Sequence, residues 1–134
     1  MGKGKRKGTG GTARRFSVLN GQHELTIRGF TATAERIELE YHITPPLPER
    51  WQDNPDGSLD AVGPPIFFSV EGVDDLGREY LDGGGAFGTD PDGRFTEGSL
   101  SLEPGPAPAA RSLTLTLMLT CGDTQSTHQL EMPL

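Results

Sequence analysis

The amino-acid sequence predicts an all-β protein, an antiparallel sandwich of about eight strands, on three observations. First, 19 Gly and 11 Pro in 134 residues interrupt every window long enough for a helix with a 3.6-residue apolar period. Second, apolar and polar residues alternate, above all at Ile37, Leu39, Tyr41 and Ile43 and again at Leu113, Leu115, Leu117 and Leu119, the period-two pattern of half-buried strands. Third, Gly- and Asp-rich turn signals recur at roughly ten-residue intervals. Leu, Ile, Val and Phe make up about 22% of the chain, just above the roughly 20% below which disorder is expected. One modest core follows, and a multi-domain enzyme is excluded.

Residues 1–15, MGKGKRKGTGGTARR, contain nothing to bury against the entropy cost of ordering and are expected to be disordered. The folded domain is then 16–134. It opens with FSVLN at 16–20, after which His23, Leu25 and Ile27 share one parity. Arg36 to Thr44 is the cleanest strand. Residues 45–65 hold six Pro and the single Trp51, so no regular element is expected there. Ile66 to Val70, IFFSV, reads as a strand that is buried on both faces or sits centrally in a sandwich. Asp75-Leu76-Gly77 turns the chain into a short strand around Tyr80 and Leu81, which Gly83 to Gly85 should break. Asp92-Gly93 leads into Phe95 to Leu102, where opposite parities of Phe95 and Leu100 call for a bulge near Glu97-Gly98. Past the link EPGPAPAAR, Ser112 to Cys121 is the second core strand. Gly122-Asp123 then turns into Thr127 to Met132. This spacing has the size of an immunoglobulin-like sandwich.

The formal net charge of −7 hides two populations. Lys3, Lys5, Arg6, Lys7, Arg14 and Arg15 make the first fifteen residues +6, and all 19 acidic residues lie beyond them, leaving the body at −13. An acidic body repels phosphate backbones and anionic lipid, so nucleic acid could be held only through the arm. Cys121 is the only cysteine, which leaves no intrachain disulfide and no cysteine cluster for zinc. The basic leader lacks an apolar segment, and no run of about 18 apolar residues occurs, so the expectation is a cytoplasmic, soluble protein without a membrane contact.

Asp74, Asp75, Gly77 and Tyr80 fit a D-D-x-G-x-x-Y hairpin. Together with ELTIRGFTATAERIELEYHI before it and LTLTLMLT after it, this stretch resembles the bacterial immunoglobulin-like domains in ectodomains of membrane-bound anti-sigma-type accessory proteins. The resemblance spans roughly residues 16–134 and implies a shape. Its motif is mostly turn chemistry, and the chain lacks the transmembrane helix and the N-terminal Cys/His segment of that family, so sigma-factor regulation is not implied.

The acidic turns Asp53-Asn54-Pro55-Asp56-Gly57 and Asp90-Pro91-Asp92-Gly93 suggest calcium loops, yet both lack the first and last acidic ligands. Ordinary Asp-Gly turns are the simpler reading; a weak surface cation site pairing Asp74 and Asp75 with another loop is the variant left open. His23, His42 and His128 are scattered, and no G-x-S-x-G occurs, so no catalytic residue, metal or cofactor is assigned and no enzyme is expected. Gly83-Gly84-Gly85-Ala86-Phe87-Gly88 lacks the Lys and Ser/Thr of a phosphate loop and fits a flexible hairpin or a strand crossing close to a neighbour. Long loops in compact domains are often binding elements, so Leu47, Arg50 and Trp51 are the candidate contacts. Against this, Trp51 could simply cap one end of the sandwich. Lys3, Lys5, Arg6 and Lys7 add charge attraction. The expected function is a noncatalytic interaction or scaffold domain that engages a protein partner through a sheet edge or the Trp51 loop, as a monomer or weak homodimer. The alternatives are a nucleic-acid-associated protein using the arm and a weak cation-binding module.

Overall fold

The computed structural model describes residues 14–48 and 51–134. Its strands are β1 (Arg14–Val18), β2 (His23–Ala32), β3 (Ile37–Thr44), β4 (Trp51–Asp53), β5 (Leu59–Ala61), β6 (Ile66–Asp74), β7 (Glu79–Thr89), β8 (Thr96–Glu103), β9 (Ser112–Cys121) and β10 (Thr124–Pro133). Eight of them form one antiparallel sheet in the order β10-β9-β6-β7-β8-β3-β2-β1, and β4 and β5 form a separate hairpin. The sheet curls into a near-closed, sandwich-like barrel.

Alternation decides which side chains fill it. In β3 Ile37, Leu39, Tyr41 and Ile43 are buried, and in β9 Leu113, Leu115, Leu117 and Leu119 are buried, as the period of two requires. Leu25, Ile27, Val70, Tyr80, Leu100, Leu102 and Leu130 complete the core. The two sides of the barrel meet where a Cβ on Gly72 of β6 would lie 3.5 Å from Leu102 of β8, and where the rings of Tyr41 and Phe68 pack edge to face at 4.7 Å.

Three hairpins share one turn device. In Asn54-Pro55-Asp56-Gly57-Ser58, Asp74-Asp75-Leu76-Gly77-Arg78 and Asp90-Pro91-Asp92-Gly93-Arg94, the Gly at the fourth place has positive φ (88°, 88° and 70°) and donates its N–H to the carbonyl of the first residue. Only Gly takes that conformation without strain. The Asp74 carboxylate accepts from the Leu76 and Arg78 amides at 2.9 and 3.0 Å and from the buried Tyr80 hydroxyl at 2.7 Å, and Tyr80 in turn accepts from the Ala107 amide at 3.1 Å. The D-D-x-G-x-x-Y motif is therefore a structural knot.

Several sequence expectations are corrected. The first strand begins at Arg14, which pairs with Ile27, two residues before Phe16. Residues 45–65 contain the β4–β5 hairpin, paired from Trp51↔Ala61 to Asp53↔Leu59, because Asn54 to Ser58 supply a turn that the surrounding prolines disguised. Phe67 is 67% exposed, so β6 is not buried on both faces: strand alternation sends Phe67 outward while Phe68 points in. Gly83 to Gly85 do not end a strand. They sit in a register shift between Asp82 and Gly84, and β7 continues along β8 to Thr89. No bulge interrupts β8 against β3; Thr96 takes the buried inward place and Phe95 stacks on the His42 ring at 4.3 Å instead.

Candidate functional site

The path of β7 creates the main feature. Its first residues pair with β6 at Gly72↔Tyr80 and Val73↔Glu79 only. From Leu81 onward it pairs with β8. β6, however, pairs with β9 over its whole length, from Ile66↔Cys121 to Asp74↔Leu113. The two strands part, and among the described residues half of one β6 edge has no ladder partner. Main-chain groups alternate sides along a strand. The Asp74 amide donates to Arg78 on the β7 side and the Val70 amide donates to Asp82 Oδ2 at 3.0 Å on the same side, so Phe68 and Ile66 turn their amides and carbonyls toward the gap. Asp82 is held for that task by the Gly84 amide, which donates to its other oxygen at 2.7 Å.

The gap opens into a groove of about 220 Å³, below the roughly 300–1,000 Å³ of sites for drug-sized ligands. It fits one large side chain. Its walls are Ile66, Phe67 and Phe68 from β6 and Gly84, Gly85, Ala86 and Phe87 from β7, with Tyr41, Ser99 and Leu100 beneath and Asp82 at one end. Small residues make the room. A Cβ on Gly85 would lie 2.1 Å from the Ser99 carbonyl oxygen, so β7 can run this close to β8 only without a side chain there. The Gly-rich run is a close strand crossing, which the sequence allowed.

Tyr41 is the polar group of the groove. Its residue is 2% exposed, and its hydroxyl lies over Gly98 beside Phe87 and the Ala86 carbonyl, 2.6 Å from where a Gly98 Cβ would be. Among the described residues no hydrogen bond to it is formed. Burial pushes the phenol above its ordinary pKa. Among the described residues Asp82 is the only charged one lining the groove, and no Lys or Arg lines it.

Of the candidate contacts singled out in the sequence, none of the described side chains lines the groove. Leu47 is 4% exposed, and its amide donates to the buried Thr96 hydroxyl at 2.8 Å, so it anchors the loop to the core. Trp51 contributes its backbone to β4. Arg50, Lys3, Lys5, Arg6 and Lys7 lie outside the described residues. His23 donates from Nδ1 to the Pro45 carbonyl at 2.7 Å. His128 donates from Nε2 to the Ser17 carbonyl at 3.1 Å, and His42 accepts from Arg28 at Nδ1. Each serves a separate local contact. Among the described residues no group of three or more His, Cys, Asp or Glu gathers as a metal site. The Asp74 carboxylate is engaged by its own turn, and Asp75 Oδ1 accepts from the Arg111 amide at 3.0 Å. Burial raises the Cys121 thiol pKa, away from the reactive thiolate. Sequence reasoning missed Tyr41, Phe68 and Phe87 as one site, since each reads as core and only the parting of β6 from β7 joins them.

No family model matches this chain, and no curated protein or solved structure matches it either.

Proposed function

We propose that this chain is a noncatalytic binding module that takes an extended segment of a partner protein along the free edge of β6. The observation that carries the reading is the early end of the β6–β7 ladder above an apolar groove. Strand addition uses both parts: exposed main-chain groups supply affinity, and a pocket beside the edge selects a side chain. The carboxylates with lowered pKa values, at Asp56, Asp74 and Asp90, are tied to turn amides, which suits a structural use more than a chemical one.

We also infer an immunoglobulin-like design from strand order. The constant-type arrangement places strands A, B, E, D in one sheet and G, F, C in the other. Here β2-β3-β8-β7 and β10-β9-β6 occupy those places in the same chain order, with β1 as an added edge strand. The likeness to anti-sigma-type ectodomains adds no partner, because its motif is accounted for by the Asp74–Tyr80 knot.

The test is to select heptapeptides on the full chain by display and titrate the best into the isotope-labelled protein. The amides of Ile66 and Phe68 should shift and gain protection from hydrogen exchange. Perturbation confined to residues 45–65 would move the site to the Trp51 loop, and nuclease-sensitive binding lost with residues 1–13 would favour the nucleic-acid reading.

A further inference from the structure

We propose that the side chain taken by the groove is a tyrosine, presented by a partner protein and flanked by neutral or basic residues. The inference deepens the strand-addition reading and rests on it. Three features select the anchor. The walls are aromatic at Phe68, Phe87 and Tyr41, which favours a flat ring in edge or offset contact. The size admits one large side chain. The floor carries a buried hydroxyl without a partner among the described residues, and an orphaned buried polar group gains most from a ligand that completes its hydrogen bond. Phenylalanine would leave it orphaned. A tyrosine reaching inward places its own hydroxyl against it.

Charge narrows the occupant further. With Asp82 as the only charged lining residue among those described and a body of net −13, a phosphorylated tyrosine is repelled and basic neighbours are attracted. A second copy of this chain cannot supply the anchor. It has two tyrosines, and both are core residues, Tyr41 at 2% and Tyr80 at 1% exposure.

The experiment uses side-chain mimics on the full chain, so that it does not depend on edge pairing. p-Cresol, toluene and p-tolyl phosphate are titrated by NMR into the wild-type protein and into Tyr41→Phe, which keeps the ring. In the wild type p-cresol should shift Phe68 and Phe87 and bind roughly threefold to tenfold more tightly than toluene, the range of one net hydrogen bond, while the phosphate should not bind. Tyr41→Phe should erase the preference and leave the melting temperature of the free protein unchanged or higher, since no intramolecular bond is lost. Equal binding of cresol and toluene, a preference that survives Tyr41→Phe, or no shift at the groove overturns the tyrosine assignment. Preference for cresol without protection of Ile66 and Phe68 by selected peptides leaves the anchor pocket standing and overturns strand addition.

Discussion

The barrel has two seams, and they are closed in different ways. At β1/β10 the edges are stitched by side chains: Ser126 Oγ accepts from the Leu19 amide at 2.6 Å, His128 donates to the Ser17 carbonyl, and the Phe16 and His128 rings lie 5.0 Å apart. Polar side chains there replace missing ladder bonds. At β6/β7 the Asp82–Val70 contact does the same once, after which the strands separate around the groove. Exposed strand edges invite pairing with other chains, and proteins normally blunt them. One seam is blunted over its contact; the other is left open next to an apolar pocket. Side chains complete the closure at β1/β10, whereas at β6/β7 the parting of the strands leaves room for the groove.

The contrast can be broken most severely at the core both seams share. Leu115→Asp places an unpaired charge at a fully buried position, which costs at least about 4 kcal/mol. The cooperative thermal transition followed by circular dichroism should vanish, and both seams with it; a melt like the wild type would show that the strand register is wrong.

Acid acts next, and on the open seam first. For Asp74 burial disfavours the charge, but the Tyr80 hydroxyl, the Arg78 and Leu76 amides and the Arg78 guanidinium outweigh it and hold the carboxyl below its ordinary 3.8. Asp90 is likewise opposed by burial yet lowered by the Arg94, Phe95 and Asp92 amides and the Arg94 charge. A carboxyl with a depressed folded pKa contributes stability that is present above the unfolded value and is lost as pH falls through the folded one. Melting temperatures should therefore stay level down to about pH 5 and drop below about pH 4. Asp74→Asn should flatten part of that drop. Hydrogen exchange at the acid end should rise at Gly72, Val73 and Tyr80 before it rises at Leu19.

Ser126→Ala sharpens the comparison from the other side. It strands the amide of Leu19, a residue 3% exposed, at a cost of about 1–2 kcal/mol, measurable by urea unfolding, and it should leave p-cresol binding unchanged. Smallest of all is Phe67→Ser. With 67% exposure it should change stability by less than about 0.5 kcal/mol, whereas the same urea experiment on Phe68→Ser, its inward neighbour, should report a clear loss.

Much of this was legible in the chain. The alternations at Ile37–Ile43 and Leu113–Leu119 announce strands and name their buried faces, because a pleated strand against one core must repeat every two residues. The Asp-x-x-Gly turns are equally local, since a left-handed Gly and an Asp that caps nearby amides lie within five residues of each other. Unbroken runs were read less well. IFFSV carries a single polar residue, Ser69, on the parity of Phe67, and that one mark was read past in an otherwise apolar run, while GGGAFG suggested a break where β7 shifts register. Leu47 suggested a contact because a loop among prolines gives no sign of which apolar residue turns inward.

The sequence by itself determined the all-β class, most strands and turns, the inward faces of β3 and β9 and the division into a basic leader and an acidic body, all of which depend on neighbours in the chain. Tertiary structure alone decided that β7 leaves β6 after two residue pairs and turns to β8. That choice depends on how closely Gly85 and Gly98 let distant strands approach, and it brings Tyr41, Phe68 and Phe87 to one groove from three separate strands. No local pattern encodes such a meeting, since the side chains that form the groove are spaced for burial and become a site only where the barrel fails to close.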